Sequence, residues 1–197
     1  MRAISLLERK LNFDPTIDLG DFLPYWSPWE TMGGTAELHF ATFLRGALLS
    51  SFGLTETCLT EISVRASRIE TYHEMQKSIP WKTDDRLKFL RKIFSADGDL
   101  KEFSELGLKV VDGYSNFRSE RNAWAHGHLV ILPCTAPQRW ENAWITLKHY
   151  DPKKGSFNQN NLRILASDLV DFTKSAKQIA DNAIELRSKV DQRLPQL

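Results

Sequence analysis

The chain has 197 residues, enough for one domain with a real hydrophobic core and too few for two domains of ordinary size. Its 42% hydrophobic and 26% charged residues are those of a soluble globular protein, and its longest apolar runs, such as Leu129 to Pro133, fall far short of a bilayer span. A formal net charge of +1 excludes a protein that coats nucleic acid through bulk counterion release, so any nucleic-acid contact must be local.

The first ten residues break their only apolar patch with charges and offer no small-residue cleavage site, so no secretory signal is read there and a cytoplasmic location is expected. Cys58 and Cys134 have no CxxC spacing, which argues against a disulfide framework or a thiolate zinc site. Residues 12–34 hold Pro15, Pro24 and Pro28, the aromatic cluster Tyr25, Trp26 and Trp29, and Gly33-Gly34, and read as an irregular connection. No Lys follows the glycines, so Gly33-Gly34-Thr35 is a helix cap rather than a phosphate loop.

From Ala36 the apolar residues Leu38, Ala41, Leu44, Leu48 and Phe52, then Leu54, Cys58, Ile62, Ala66 and Ile69, recur at helical spacing. Gly53 is the position at which this stretch would bend or break. Lys82 to Phe94 predicts a short helix after Pro80. Asp97-Gly98-Asp99 is a turn and not a calcium loop, because the twelfth position is Leu108, where a Glu is required. The spacing of Phe103, Leu106, Val110, Tyr114, Phe117, Arg121 and Trp124 predicts one helix from Leu100 to about Gly127. Residues 128–132 and 143–149, rich in branched and aromatic side chains, predict a β-hairpin, and Lys153-Lys154-Gly155 a solvated turn. Leu162, Leu165, Leu169, Phe172, Ala176, Ile179, Ala183, Leu186 and Val190 form a heptad seam and predict one long helix against a near-parallel partner, inside the chain or in a second subunit. The expected fold is mainly α, a helical bundle with a long C-terminal helix and a small hairpin insertion at about 128–149, in a single domain with its core at about 36–190.

Chemistry concentrates in Arg121-Asn122-Ala-Trp-Ala-His126. Arg121 lies on the apolar stripe, where an uncompensated guanidinium is costly, so it needs a partner or a cleft. Asn122 and His126, four residues apart, share one helical face, and Arg121 lies about 100° round the helix within reach of its long side chain. Gly127 suits the position after a helix C-terminus, which puts His126 in the last turn. An imidazole is the side chain best able to pass protons at neutral pH. Arg118, Trp124 and His128, in or beside the same segment, are candidate substrate contacts. The structural alternative is a capping histidine and an arginine paired with an acid such as Glu120 or a distant Asp. A metal site at His126-x-His128 is not supported, since the pair straddles a helix end without HExxH or an acidic cluster. His39 and His73, within helices, read as surface or satisfied core residues.

At these residues the chain resembles the HEPN superfamily, whose signature is an Arg, often followed by a polar residue, with a His four to six residues further on. The resemblance also covers architecture over roughly residues 36–190: a bundle of four or more helices, the motif at the end of a late helix, and another long helix after it. It implies RNA cleavage without a metal or other cofactor, across a groove shared by two copies of the chain. It further implies His126 as general acid or base around the 2′-hydroxyl and the leaving oxygen, Arg121 neutralising the phosphoryl oxygens, and Asn122 orienting phosphate or imidazole. Toxin, phage-defence or RNA-processing roles follow, with a neighbouring-gene protein such as an antitoxin as partner. Toxins of one branch carry an adenylylated Tyr two residues after the motif His. His128 stands there here, which puts that regulation in doubt. The alternatives are a non-catalytic HEPN-like module that binds RNA or protein, and a structural helical protein that assembles through its heptad seam.

Overall fold

The computed structural model of the chain describes residues 36–75, 78–132, 144–153 and 156–194. These residues are mostly helical, with a long C-terminal helix and a small three-stranded antiparallel sheet. The order is α1 (Ala36–Ala66), α2 (Glu70–His73), α3 (Thr83–Ser95), a 3₁₀ turn (Lys101–Phe103), α4 (Ser104–Asn116), α5 (Arg118–His126), β1 (His128–Leu132), β2 (Trp144–Lys153), β3 (Ser156–Leu165) and α6 (Ala166–Arg193). The loop readings at residues 12–34, the Gly33-Gly34-Thr35 cap, Cys134, and Lys154-Gly155 lie outside the described residues. No helix among the described residues is long and apolar enough to cross a membrane.

The described residues divide into two compact units, one drawn from residues 36–49 and 122–175, the other from 50–121 and 176–194. In the second unit Phe52, Leu59, Ile62, Phe89, Leu90, Ile93, Phe94, Val110, Leu186 and Val190 are buried, at the spacing that the sequence shows. Helix α1 runs unbroken through Gly53, which is exposed, so the missing side chain leaves no gap while Phe52 and Thr55 on either side stay buried. Helix α4 comes close to both neighbours at its glycines. A Cβ at Gly107 would stand 2.5 Å from the Phe94 ring, and one at Gly113 would stand 3.2 Å from Ile179. That approach, with the ion pairs Arg187–Glu61 and Arg65–Asp191, shows that the C-terminal half of α6 meets helices of its own chain.

The segment predicted as one helix from Leu100 to Gly127 is three elements. Its break falls at Phe117, whose φ of −91° and ψ of 3° leave the helical region. Phe117 and Tyr114 both set their rings 6.2 Å from that of Phe52, so aromatic packing fixes the residue at which the axis changes. Helix α5 therefore starts afresh at Arg118.

In the first unit Phe40, Ala41, Leu44, Ala47 and Leu48 of α1 are buried, together with Trp124, Ile145, Leu147 and Leu169. The sheet order is β1-β2-β3. Strand β1 falls on the residues predicted, β2 reaches four residues further, and β3 is a correction: Leu162 and Leu165 belong to a strand paired with β2, and the helix begins at Ala166. The Asp168 carboxylate accepts a hydrogen bond from the Leu165 N–H at 3.4 Å, an acid reaching back over the first turn that marks the true helix start.

The passage from α5 to β1 depends on Gly127. Its N–H donates to the Ala123 carbonyl at 2.7 Å, and a Cβ there would stand 2.5 Å from that same oxygen, with Leu147 at 3.4 Å on the other side. Gly127→Ala is expected to cost about 1–3 kcal/mol in a urea titration, because backbone rather than a flexible side chain would have to yield. An unchanged midpoint would contradict this account of the junction.

Candidate functional site

Arg121 is placed by the second turn of the short α5, and Glu56 of α1 is one of its partners. Its Nη2 donates to Oε2 of Glu56, from α1, at 3.2 Å. The same carboxylate accepts a hydrogen bond from the Thr83 hydroxyl at 3.2 Å through Oε1, and it faces Arg86 Nη1 at 3.7 Å. Arg86 is only 9% exposed and also donates to the Trp81 carbonyl at 3.1 Å. Two guanidinium groups thus share one carboxylate. The Arg121 side chain keeps 32% of its surface open.

Tyr114, buried beneath this cluster, completes it. Burial pushes its phenol up to about 12, with the negative Glu56 and a hydrogen bond to that carboxylate acting in the same direction against Arg121 and Arg86. The folded chain holds this proton above pH 10, where the unfolded chain releases it. Stability is therefore complete below about pH 10 and declines as pH rises through about 12, by on the order of 2–3 kcal/mol. Urea titrations from pH 9 to 12 should show that decline in the wild type, and a shallower one in Tyr114→Phe. Equal slopes would show that the phenol does not keep its proton.

In the first unit, Asn122 is half-buried and engaged, and His126 is exposed in the last turn of α5. Arg45 of α1 donates from Nη2 to the Ala125 carbonyl at 3.1 Å, which satisfies an acceptor at the helix end and sets a guanidinium beside the residue preceding His126. His128 is exposed at the start of β1.

The three candidate substrate contacts separate. His128 remains accessible. Arg118 is paired with Asp84 at the surface, an interaction worth at most about 1 kcal/mol and easily exchanged for another anion. Trp124 is a correction: at 1% exposure it is a core side chain, and its place on the apolar stripe of α5 already pointed inward. His73 is exposed, with Nδ1 3.2 Å from the Ser67 carbonyl.

Sequence reasoning missed Glu56, Tyr114, Arg86 and Arg45. Glu56 and Arg45 are single charged residues within the amphipathic pattern of α1, and the only available signal was that an arginine on the apolar stripe of α5 requires a counter-charge. Among the described residues no group of three or more His, Cys, Asp or Glu is arranged to hold a metal ion. No protein-family model, curated protein or solved structure matches this chain.

Proposed function

We propose that this chain is a metal-independent endoribonuclease of HEPN type, working as a homodimer in a toxin, phage-defence or RNA-processing setting. The observation that carries the reading is the exposure of His126 in the last turn of α5, the helix that also bears the part-exposed Arg121. In the reaction the 2′-hydroxyl oxygen attacks the adjacent phosphorus and the bond to the 5′ oxygen breaks. His126 takes the hydroxyl proton or returns one to the leaving oxygen, and two copies of the chain supply both imidazoles. The products are a 2′,3′-cyclic phosphate and a 5′-hydroxyl. Arg121, held by Glu56, offers its part-exposed guanidinium to the phosphoryl oxygens. Asn122 orients phosphate or imidazole.

The ion pair between Arg121 and Glu56 favours a second reading, a HEPN-like module that binds RNA or a protein without cutting, in which Arg121 serves structure.

Purified protein incubated with total RNA in EDTA separates the two. The nuclease reading expects fragments from wild type, a loss of about 10²–10³-fold for Arg121→Ala, and near-complete loss for His126→Ala. Binding without fragments favours the module. Fragments that vanish in EDTA assign the chemistry to a metal, and fragments from both variants remove these residues from the site.

A further inference from the structure

His126 stands at the unfavourable end of its helix for an anionic substrate. The carbonyls that close α5 carry the negative end of the helix dipole, on the order of half an elementary charge, and that field opposes a phosphate near the last turn. A residue of α1 counters it. Arg45 donates from Nη2 to the Ala125 carbonyl at 3.1 Å, across 80 residues of sequence. One peptide bond joins that carbonyl to His126, so Nη2 lies within about 6 Å of the His126 Cα. Both residues belong to the first unit, in which Arg45 is half-buried and His126 exposed.

The guanidinium brings more than a cap needs. The Ala125 carbonyl engages one of its N–H donors, and an arginine has five. Arg65, Arg86, Arg91, Arg118, Arg187 and Arg193 each face a carboxylate, as Arg121 does. Among the described residues no carboxylate pairs with Arg45. Its own helix supplies none nearby, since the positions three and four residues away are Ala41, Thr42, Leu48 and Leu49. Elsewhere in the unit, the Asp168 carboxylate takes the Leu165 N–H and that of Asp171 takes Lys174. A cation drawn partly out of water needs a counter-charge, and the helix end provides only about half of one. An anion bound at that end would complete it, with the exposed imidazole as a second donor.

We propose that Arg45 and His126 form a phosphate-binding site at the end of α5, and that Arg45 is a further catalytic residue, which holds the scissile phosphodiester against the field of the helix. This rests on the reading of His126 as the catalytic imidazole and deepens it. Arg45 donates to a non-bridging phosphoryl oxygen through N–H groups that the Ala125 carbonyl does not engage, and the contact strengthens as negative charge builds on that oxygen during attack by the 2′-hydroxyl. A guanidinium suits this place better than an ammonium, because its rigid fork can hold the carbonyl and the phosphate at once.

The test reads binding and turnover separately. The Cε1 proton of His126, assigned by its loss in His126→Ala, is followed by NMR while uridine 3′-monophosphate is added. It should shift to saturation in wild type, and Arg45→Ala should weaken the affinity by roughly tenfold or more. Arg45→Gln keeps an N–H for the Ala125 carbonyl without the charge and should lose as much, whereas Arg45→Lys should keep part of the affinity. Each variant is checked for an unchanged circular dichroism spectrum and melting temperature, and Arg45→Gln decides the matter if Arg45→Ala does not fold. In single-turnover RNA cleavage Arg45→Ala should be slower by about 10²–10³-fold, and dilute guanidinium, but not urea, should restore part of the rate. A wild-type His126 signal that ignores the nucleotide, or equal affinity in folded Arg45→Gln, would overturn the proposal and leave Arg45 as a helix cap. Phosphate binding that needs Arg45 in a wild-type protein that cuts no RNA would sink the nuclease reading and leave the site standing. Cutting that His126→Ala abolishes and Arg45→Gln leaves intact would do the reverse.

Discussion

Glu56→Ala is expected to destabilise the fold by about 3 kcal/mol, the lower end of the cost of removing one partner from a buried ion pair, because this carboxylate keeps some access to water. The change leaves Arg86, at 9% exposure, without its carboxylate partner. It also deprives Tyr114 and Thr83 of their acceptor and frees Arg121 from this ion pair. Glu56→Gln keeps an acceptor for the two hydroxyls and gives up only the charge, so it should fall between wild type and Ala. Urea denaturation of the three proteins measures the order. A loss below about 1 kcal/mol for Glu56→Ala would mean that the arginines find other anions, and that the carboxylate is not the centre of the cluster. If Arg121 acts on phosphate, Glu56→Gln should also lower RNA turnover more than it lowers stability, since it leaves the guanidinium present but less firmly placed.

His126→Ala should reduce the single-turnover rate of RNA cleavage by about 10²–10⁴-fold, the usual contribution of a positioned general acid or base. Its effect on folding should be within about 0.5 kcal/mol, because the side chain is exposed and the helix end is already satisfied by Gly127 and Arg45. The substitution at Glu56 strikes stability together with activity, whereas the one at His126 strikes activity alone. A His126→Ala protein that melts far below wild type would identify the imidazole as a structural cap instead.

Much of this architecture is legible in the sequence, for physical reasons that also explain the misses. The long C-terminal helix announces itself through Leu169, Ala176, Ala183, Leu186 and Val190, all buried, because one element that hides a single stripe must repeat it. Strand β1 is equally plain, five residues of high strand propensity except its first, set off by Gly127. Strand β3 is not, since Phe157 to Asn161 is mostly amide residues of low strand propensity and only pairing with β2 holds it extended. Leu162 and Leu165 also fall into step with the helical seam, so periodicity alone extends α6 backwards by about four residues. The break at Phe117 is invisible for a similar reason: the apolar spacing continues across it, and the cause is a ring contact with Phe52, far away in sequence.

For the candidate site, the segment and its helix end can be read from Arg121, Asn122, His126 and Gly127. The need of Arg121 for a counter-charge is also legible, but its identity is not, because 65 residues separate Arg121 from Glu56. Trp124 shows the opposite error. An aromatic beside a catalytic motif invites a stacking role, yet its helical phase sets it among the buried residues.

That the 2′-hydroxyl of RNA is the nucleophile, and that His126 moves its proton, is tested most directly by the chemistry of the fragment ends. The measurement is their mass, for fragments made by wild-type protein in EDTA from a defined RNA, beside the same RNA with a single 2′-deoxy sugar at the cut site. The first RNA is expected to give 2′,3′-cyclic phosphate and 5′-hydroxyl ends, and the second to remain uncut at the modified sugar. Ends bearing a 3′-hydroxyl and a 5′-phosphate, or cutting that ignores the missing hydroxyl, would contradict this chemistry.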